Sequence, residues 1–157
     1  MDPEQKSMIL AFDAKRLFNN FTGLGNYART LLKNLQHFYP EHKYHLFTPK
    51  IIKNKETAYF LDNPAFIIHT PERFNPLWRT YGMSEQINGL KPDIFHGLSH
   101  EIPFGIDKNV VKMVTFHDLI YEKYPEQFNW LDLKMYKWKY RMSAKRSDHI
   151  IAISKST

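Results

Sequence analysis

The sequence contains no cysteine among its 157 residues. Disulfide bonds and thiolate metal sites are therefore excluded, which suits a reducing compartment. No apolar run approaches the ~20 residues that a bilayer span needs, and the first seven residues lack the apolar core of a signal peptide. We therefore expect a cytoplasmic protein.

Several catalytic signatures are also missing, namely a nucleophile elbow, a Walker loop and a kinase motif set. The segment from Gly23 to Ala28 fits the pattern GxGxx[GA], but nine residues separate Asp13 from Gly23. The ribose-binding acid expected ~20 residues further on is absent as well. These departures argue against an NAD- or FAD-dependent oxidoreductase.

What the chain does contain is ample material for one core, since 43% of its residues are hydrophobic and 15% are aromatic. Its net charge is +6, and its isoelectric point is near 9.4. Such a balance favours anionic partners: nucleic acid, phosphorylated small molecules or an anionic membrane. Because no nucleic-acid-binding motif accompanies the charge, we expect no nucleic-acid partner.

Short apolar segments alternate with helical patterns along the chain. Strands are predicted at residues 8–12, 42–48, 65–69, 93–96, 110–116 and 148–153. Helices are predicted at 27–38, 56–62, 76–90 and 131–146. This alternation predicts an α/β fold, a Rossmann-like, mainly parallel sheet of about six strands with helices on both faces.

Two of these helices carry predictions about which side faces the core. In the helix at 76–90, helical spacing points four side chains inward: Leu77, Tyr81, Ile87 and Leu90. In the helix at 131–146, one face is apolar and another is basic: Leu131, Met135, Trp138 and Met142 against Lys134, Lys137, Arg141 and Lys145. The basic stripe is either a solvated helix face or a contact surface for an anionic membrane or a lipid-phosphate acceptor.

A glycine-bearing loop separates the first strand from the first long helix. Gly23, Leu24, Gly25 and Asn26 precede the helical pattern that begins at Tyr27. Backbone N–H groups at a helix start have no partner within the helix, and the dipole adds positive charge there. Strand, glycine loop and helix therefore predict an anion pocket, although glycines also serve simply to make turns.

Polar side chains collect after the carboxyl ends of the predicted strands, where open parallel sheets bind ligands. These residues are Lys15, Arg16, His96, Ser99, His100, Glu101, His117, Asp118 and Ser154. The opposite end of the sheet carries plain turns, so we expect one site at the carboxyl edge.

His117 and Asp118 form the most specific pair. A histidine can donate or accept a hydrogen bond near neutral pH, and an adjacent carboxylate can orient it. The alternative is a histidine bonded to backbone, with the aspartate capping the next turn. His96 and His100 could ligate a metal with oxygen from Glu101 and Asp118, but neither a helical spacing nor a zincin-like pattern supports this. We expect no metal.

Five segments, each at a strand end, carry a resemblance. They are Phe12-Asp-Ala-Lys-Arg16, Thr22-Gly-Leu-Gly-Asn-Tyr27, Pro92-Asp-Ile-Phe-His-Gly-Leu-Ser-His100, Val114-Thr-Phe-His-Asp-Leu119 and Ile150-Ile-Ala-Ile-Ser154. In this order they resemble the N-terminal half of family 4 glycosyltransferases. Those enzymes have a GT-B fold, two Rossmann-like domains that face a deep cleft.

The resemblance implies retaining, mannosyltransferase-like transfer of a sugar from a nucleotide-sugar donor to a glycan or lipid-linked acceptor. It places His117 near the transferred sugar and lets Asp118 orient the loop. It places Gly23, Leu24, Gly25 and Asn26 opposite the donor diphosphate. Acceptor binding falls to six other polar residues of the edge: Lys15, Arg16, His96, Ser99, His100 and Glu101.

The resemblance also implies how the chain is organised. Residues 1–157 correspond to a single, truncated acceptor-side domain, and the C-terminal nucleotide-sugar domain lies outside them. No cofactor is expected, because the nucleotide-sugar is a substrate. The fragment alone should be inactive; the whole enzyme would act in polysaccharide biosynthesis, in the cytoplasm or peripherally at the inner face of the membrane. The alternatives are a non-catalytic anion- or membrane-docking module and another GT-B enzyme such as a nucleotide-sugar epimerase.

Overall fold

A computed structural model of the chain describes residues 6–73, 75–155 and 157. In this part of the chain, six strands form one fully parallel sheet in the order β3-β2-β1-β4-β5-β6. The strands are β1 Ile9–Asp13, β2 Lys43–Phe47, β3 Phe66–His69, β4 Ile94–Gly97, β5 Val111–Phe116 and β6 His149–Ala152.

Helices connect these strands. They are α1 Lys15–Asn19, α2 Gly23–Phe38, α3 Ala58–Asp62, α4 Met83–Leu90, α5 Ile120–Lys123 and α6 Trp130–Arg146. A π-helical turn, Trp78–Gly82, runs into α4, and a 3₁₀ turn, Pro125–Gln127, lies between α5 and α6.

Two hydrophobic cores cover opposite faces of the sheet. Because side chains alternate along a strand, Leu10 and Phe12 of β1 point to one face while Ala11 points to the other. The first core packs α1, α2 and α3 through Leu17, Leu32 and Phe60, among others. The second packs the π-helical turn, α4 and part of α6 through Trp78, Ile87 and Tyr140, among others. The predicted α/β, Rossmann-like sheet covered on both faces is confirmed.

The strand order places the centre of the sheet at β1, which pairs with β2 on one side and with β4 on the other. The chain adds β2 and β3 on one side of β1 and then adds β4, β5 and β6 on the other side. Ligands of doubly wound sheets bind at such a switch point, outside the carboxyl ends of the strands. Asp13, the last residue of β1, is in register with Phe47 of β2 and Gly97 of β4.

The connection after β1 differs from the expected polar loop. Residues 15–19 form α1, and α2 begins at Gly23 rather than at Tyr27, so the glycines belong to its first turn. The side chain of Asn20 explains this early start. Its Oδ1 accepts hydrogen bonds from the N–H groups of Thr22 and Gly25, at 3.1 and 3.0 Å, and thus caps the helix from outside.

Two predictions about helix faces were wrong in part. Leu77 and Tyr81 are 59% and 53% exposed, because the π-helical turn shifts the phase of the helix and buries Trp78 instead. In α6, the exposed residues include most of the apolar set predicted to share a face: Leu131, Met135 and Trp138. Tyr140 and Ala144 pack on the core in their place, and Ser143 is buried.

Candidate functional site at the carboxyl edge of the sheet

An ion network lies at the switch point of the sheet. Arg79, from the π-helical turn, places Nε and Nη2 each 2.7 Å from Oδ2 of Asp13 and Nη1 2.7 Å from Oε1 of Glu101. Asp13 is only 2% exposed, so its carboxylate depends on this partner. The network joins the end of β1 to the loop after β4.

The pKa values of Arg79 and Lys15 depend on burial and on the charged groups around them. Burial alone would lower the pKa of Arg79, but the carboxylates of Asp13 and Glu101 together outweigh burial and raise that pKa. The pKa of Lys15 is lowered, first by burial and then by the nearby cations Arg79 and Arg16. Lys15 and Arg16 come just after β1 and are both half-buried. The carboxyl end of β1 thus carries two cations next to the ion network of Arg79.

His117 follows β5 directly and is held in one orientation. Its Nε2 lies 2.8 Å from the carbonyl oxygen of Leu98, so Nε2 carries a hydrogen and donates it. Its backbone N–H donates to Nε2 of His100 at 3.0 Å. The ring of Tyr27 meets it edge-on, with centroids 4.8 Å apart. These contacts leave Nδ1 of the half-buried ring as the nitrogen available to a ligand.

His100 supports His117 from beneath. It is buried and adopts a φ of 61°, the left-handed region that a non-glycine residue enters only when its surroundings hold it there. Its N–H donates to the Thr115 carbonyl at 3.0 Å, and its ring stacks on Tyr140 of α6 with centroids 4.5 Å apart. Burial, with a contribution from His117, lowers the pKa of His100 to about 4, so it stays neutral and its Nε2 accepts the bond.

His96, the third histidine, lies within the sheet. Its Nε2 is 2.8 Å from Oγ1 of Thr115, and that hydroxyl is 3.3 Å from the hydroxyl of Tyr27. Burial, with a contribution from His117, lowers the pKa of His96 to about 4. This buried chain of hydrogen bonds links β4 and β5 to α2 and so fixes where the first turns of α2 lie relative to His117.

The two glycines of α2 have different structural roles. A Cβ on Gly25 would lie 1.7 Å from the carbonyl oxygen of Asn20, so the packing of α1 against α2 requires glycine there. A Cβ on Gly23 would meet nothing within 4 Å, so packing does not explain that glycine. Within the described residues, the N–H groups of Gly23 and Leu24 have no acceptor, as expected in a first turn. Asn26 accepts from Arg29 Nη2 at 2.6 Å.

Asp118 is exposed, and within the described residues its carboxylate accepts no hydrogen bond from the His117 ring. Its Oδ1 accepts from the N–H of Ile120, the first residue of α5, at 3.3 Å. His117 and Asp118 border an open cleft of about 230 Å³ whose far wall includes Ser154 and Thr157. Ser154 and Thr157 bond to each other through their hydroxyls at 2.9 Å. The observed contacts match both halves of the alternative interpretation, because His117 bonds a backbone carbonyl and Asp118 bonds the N–H of the next turn.

The structure brings together residues from the ends of β1, β4 and β5, as expected. These residues differ in how deeply they are buried. Glu101, Lys15, Arg16 and His117 are partly accessible, whereas His96, Ser99 and His100 are buried. Sequence reasoning missed Arg79, which lies 66 positions after Asp13 in the chain and connects it to Glu101. It also missed Tyr140, since that side of α6 was not expected to face the sheet. Neither residue carries a local signal, because both act through long-range packing.

Among the described residues, no three His, Cys, Asp or Glu side chains are grouped so as to hold a metal ion. The expectation of a metal-independent site stays a prediction. None of the helices in residues 6–73, 75–155 and 157 combines the length and hydrophobicity that a membrane span requires.

A parallel sheet in the order 3-2-1-4-5-6, with polar residues at the carboxyl edge of its switch point, defines a Rossmann-like α/β domain. The family model Glycosyltransferase Family 4 matches residues 21–157, and the chain belongs to this family. A search of curated proteins and a search of solved structures each give no match.

Proposed function

We propose that this chain is the acceptor-side domain of a retaining glycosyltransferase that moves a sugar from a nucleotide-sugar to a hydroxyl of a glycan or lipid-linked acceptor. The observation that carries the proposal is His117: its ring is locked by Leu98, His100 and Tyr27 and presents Nδ1 beside the first turns of α2. In this proposal Nδ1 bonds a hydroxyl of the transferred sugar, and Asp118 keeps the following loop in place.

The donor diphosphate is proposed to face the start of α2. A leaving nucleoside diphosphate gains negative charge as the glycosidic bond breaks, and oriented N–H donors in a water-poor cleft stabilise that charge. Gly23 and Leu24 offer such donors, and no side chain at Gly23 obstructs an approaching phosphate. Most of the donor contacts belong to a second, nucleotide-binding domain, so the chain alone is proposed to lack transferase activity.

The acceptor is proposed to bind over Lys15, Arg16 and Glu101, the accessible members of the edge. Because His96, Ser99 and His100 are buried, we assign them a positioning role in place of direct acceptor contact. His100 holds the backbone of His117, and His96 reaches α2 through Thr115. Transfer needs no metal in this proposal, since the α2 N-terminus and cations of the second domain neutralise the diphosphate.

The test is a donor panel supplied to the full-length enzyme with a chelator present. We expect release of nucleoside diphosphate from one nucleotide-sugar and, by NMR of the product, retention of the anomeric configuration. Inversion at the anomeric carbon would contradict the retaining mechanism. Release that requires a divalent cation would contradict the metal-free site, and epimerised free sugar without transfer would favour the GT-B epimerase alternative.

A further inference from the structure

The positive charge of the chain is concentrated in α6. This helix holds six basic residues and one acidic residue, so it accounts for five of the six net positive charges of the whole chain. Within the described residues, Lys134, Arg141 and Lys145 take part in no ion pair and are exposed. They remain free to attract an anionic surface.

Apolar side chains lie among these cations on the outer side of α6. The outer residues are Trp130 and Trp138, which are 65% and 49% exposed, with Leu131 and Met135, also exposed. At 100° per residue they interleave with Lys134, Arg141 and Lys145 over a common arc of the helix, and Lys134 lies over the Trp130 ring at 5.1 Å. We call this surface, from Trp130 to Lys145, the outer α6 face.

Packing accounts for only part of the outer α6 face, since Trp138 stacks on Phe104 with ring centroids 5.6 Å apart but stays 49% exposed. The inner side of the helix already packs on the sheet, where Tyr140 contacts Phe116 and the hydroxyl of Ser143 accepts from the Ile102 N–H. Two exposed tryptophans with nearby cations fit the bilayer interface, where aromatic rings enter the headgroup layer and cations meet lipid phosphates. Exposed apolar patches rimmed by polar residues are typical of protein or membrane interaction sites.

We infer that the outer α6 face docks the protein on a membrane surface rich in anionic phospholipid. The helix lies flat, with Trp130, Leu131 and Trp138 in the headgroup region and Lys134, Arg141 and Lys145 against lipid phosphates. The α6 helix also stacks Tyr140 on His100, so docking places the carboxyl edge close to the bilayer, where a lipid-linked acceptor would reside. The docking inference itself does not rest on the proposed transferase activity.

The test measures binding of the chain to vesicles of phosphatidylcholine alone or with a third of phosphatidylglycerol, at low and high salt. We expect binding only to the anionic vesicles, weakened by salt. The variant Lys134→Gln/Arg141→Gln/Lys145→Gln should bind roughly a hundredfold more weakly. The matched control is Lys50→Gln/Lys53→Gln/Lys55→Gln, which removes three exposed cations of another segment and should bind like wild type.

Tryptophan fluorescence gives a second readout. Trp78 is buried, so a blue shift on adding anionic vesicles must come from Trp130 and Trp138, and Trp130→Ala/Trp138→Ala should abolish it. Absence of binding at low salt would overturn the inference. So would equal loss in the control variant, which would indicate general charge attraction, or lipid-independent dimerisation that buries the same tryptophans, which would identify a second copy as the occupant.

Discussion

Individual side chains of the carboxyl edge depend on partners distant in sequence. Asp13 is almost fully buried, and its charge is compensated by Arg79, which also binds Glu101. A buried carboxylate that loses its partner is an uncompensated charge in a medium of low dielectric. Arg79 therefore contributes to the stability of the domain as well as to the shape of the site.

The variant Arg79→Gln should reduce the free energy of unfolding by about 3–5 kcal/mol, because it removes the guanidinium that is paired with the buried Asp13. Chemical denaturation followed by circular dichroism measures this loss. Lys139→Gln is the control: Lys139 Nζ lies 3.9 Å from Glu101 and contacts solvent, so its loss should cost less than about 1 kcal/mol. Equal losses in the two variants would contradict a special dependence of Asp13 on Arg79.

Buried histidines predict a pH dependence of stability. Burial lowers the pKa of His45, His96 and His100 to about 4, and it also lowers that of His69, whose Nε2 lies 2.8 Å from Nδ1 of His45. The folded state therefore binds fewer protons than the unfolded state between pH 6.5 and 4. Its free energy of unfolding should fall as the pH falls through this window, by up to about 1.4 kcal/mol per pH unit per histidine.

Urea unfolding at pH 7, 6 and 5 measures this slope. His45→Gln/His69→Gln should flatten it, because two groups that resist protonation are removed. The exposed His37 and His149 provide a control pair, and His37→Gln/His149→Gln should leave the slope unchanged. A wild-type slope near zero would show that the buried histidines accept protons in the folded state.

At the scale of elements, the start of α2 combines a packing requirement with an open position. Gly25→Ala should reduce the free energy of unfolding by about 1–3 kcal/mol, because its Cβ would collide with the Asn20 carbonyl and force α1 away from α2. Gly23→Ala should leave stability within about 1 kcal/mol of wild type, since nothing lies within 4 Å. Thermal and urea unfolding of the two variants measures the difference.

If the start of α2 faces the diphosphate, turnover should depend on Gly23, the glycine whose replacement has little effect on stability. In the full-length enzyme, the folded Gly23→Ala variant should turn over more slowly, because its methyl group stands where a phosphate oxygen approaches. Wild-type turnover of Gly23→Ala would contradict this placement of the donor.

Elements with a clear apolar period were predictable from sequence. The strand segments and the long helices matched, because burial on both faces leaves short apolar runs and α2 keeps its inner residues at helical spacing. The phase of the helix after Pro76 was not predictable, since the π-helical turn depends on the packing of Trp78. The inner face of α6 was predicted wrongly, because both sides of that helix carry large apolar residues. Only packing decides which side faces the sheet.

The position of the candidate site was predictable from the sequence, but the arrangement of its side chains was not. Strand ends collect at one edge of a parallel sheet, which brought the ends of β1, β4 and β5 together without knowledge of any contact. Burial of His96 and His100 beneath His117 depends on which way each side chain points after its strand. The left-handed backbone of His100 and the reach of Arg79 to Asp13 likewise arise only in the folded chain.

At the scale of the whole molecule, two surfaces have different proposed tasks. The carboxyl edge carries His117 and the start of α2, and we propose it as half of a transferase cleft. The α6 helix carries most of the net positive charge, and we propose its outer face as a membrane-docking surface. Tyr140 connects the two, because it belongs to α6 and stacks on the histidine that holds His117.

The central claim is that the locked His117 ring contacts the sugar being transferred. The most direct test is the kcat of the full-length enzyme with His117→Ala, measured with the donor identified by the panel and with melting temperature recorded in parallel. We expect kcat to fall roughly a hundredfold with little change in melting temperature, since the side chain contributes one oriented hydrogen bond. His37→Ala, at the far end of α2, should retain wild-type kcat. Unchanged turnover in a folded His117→Ala enzyme would contradict the account.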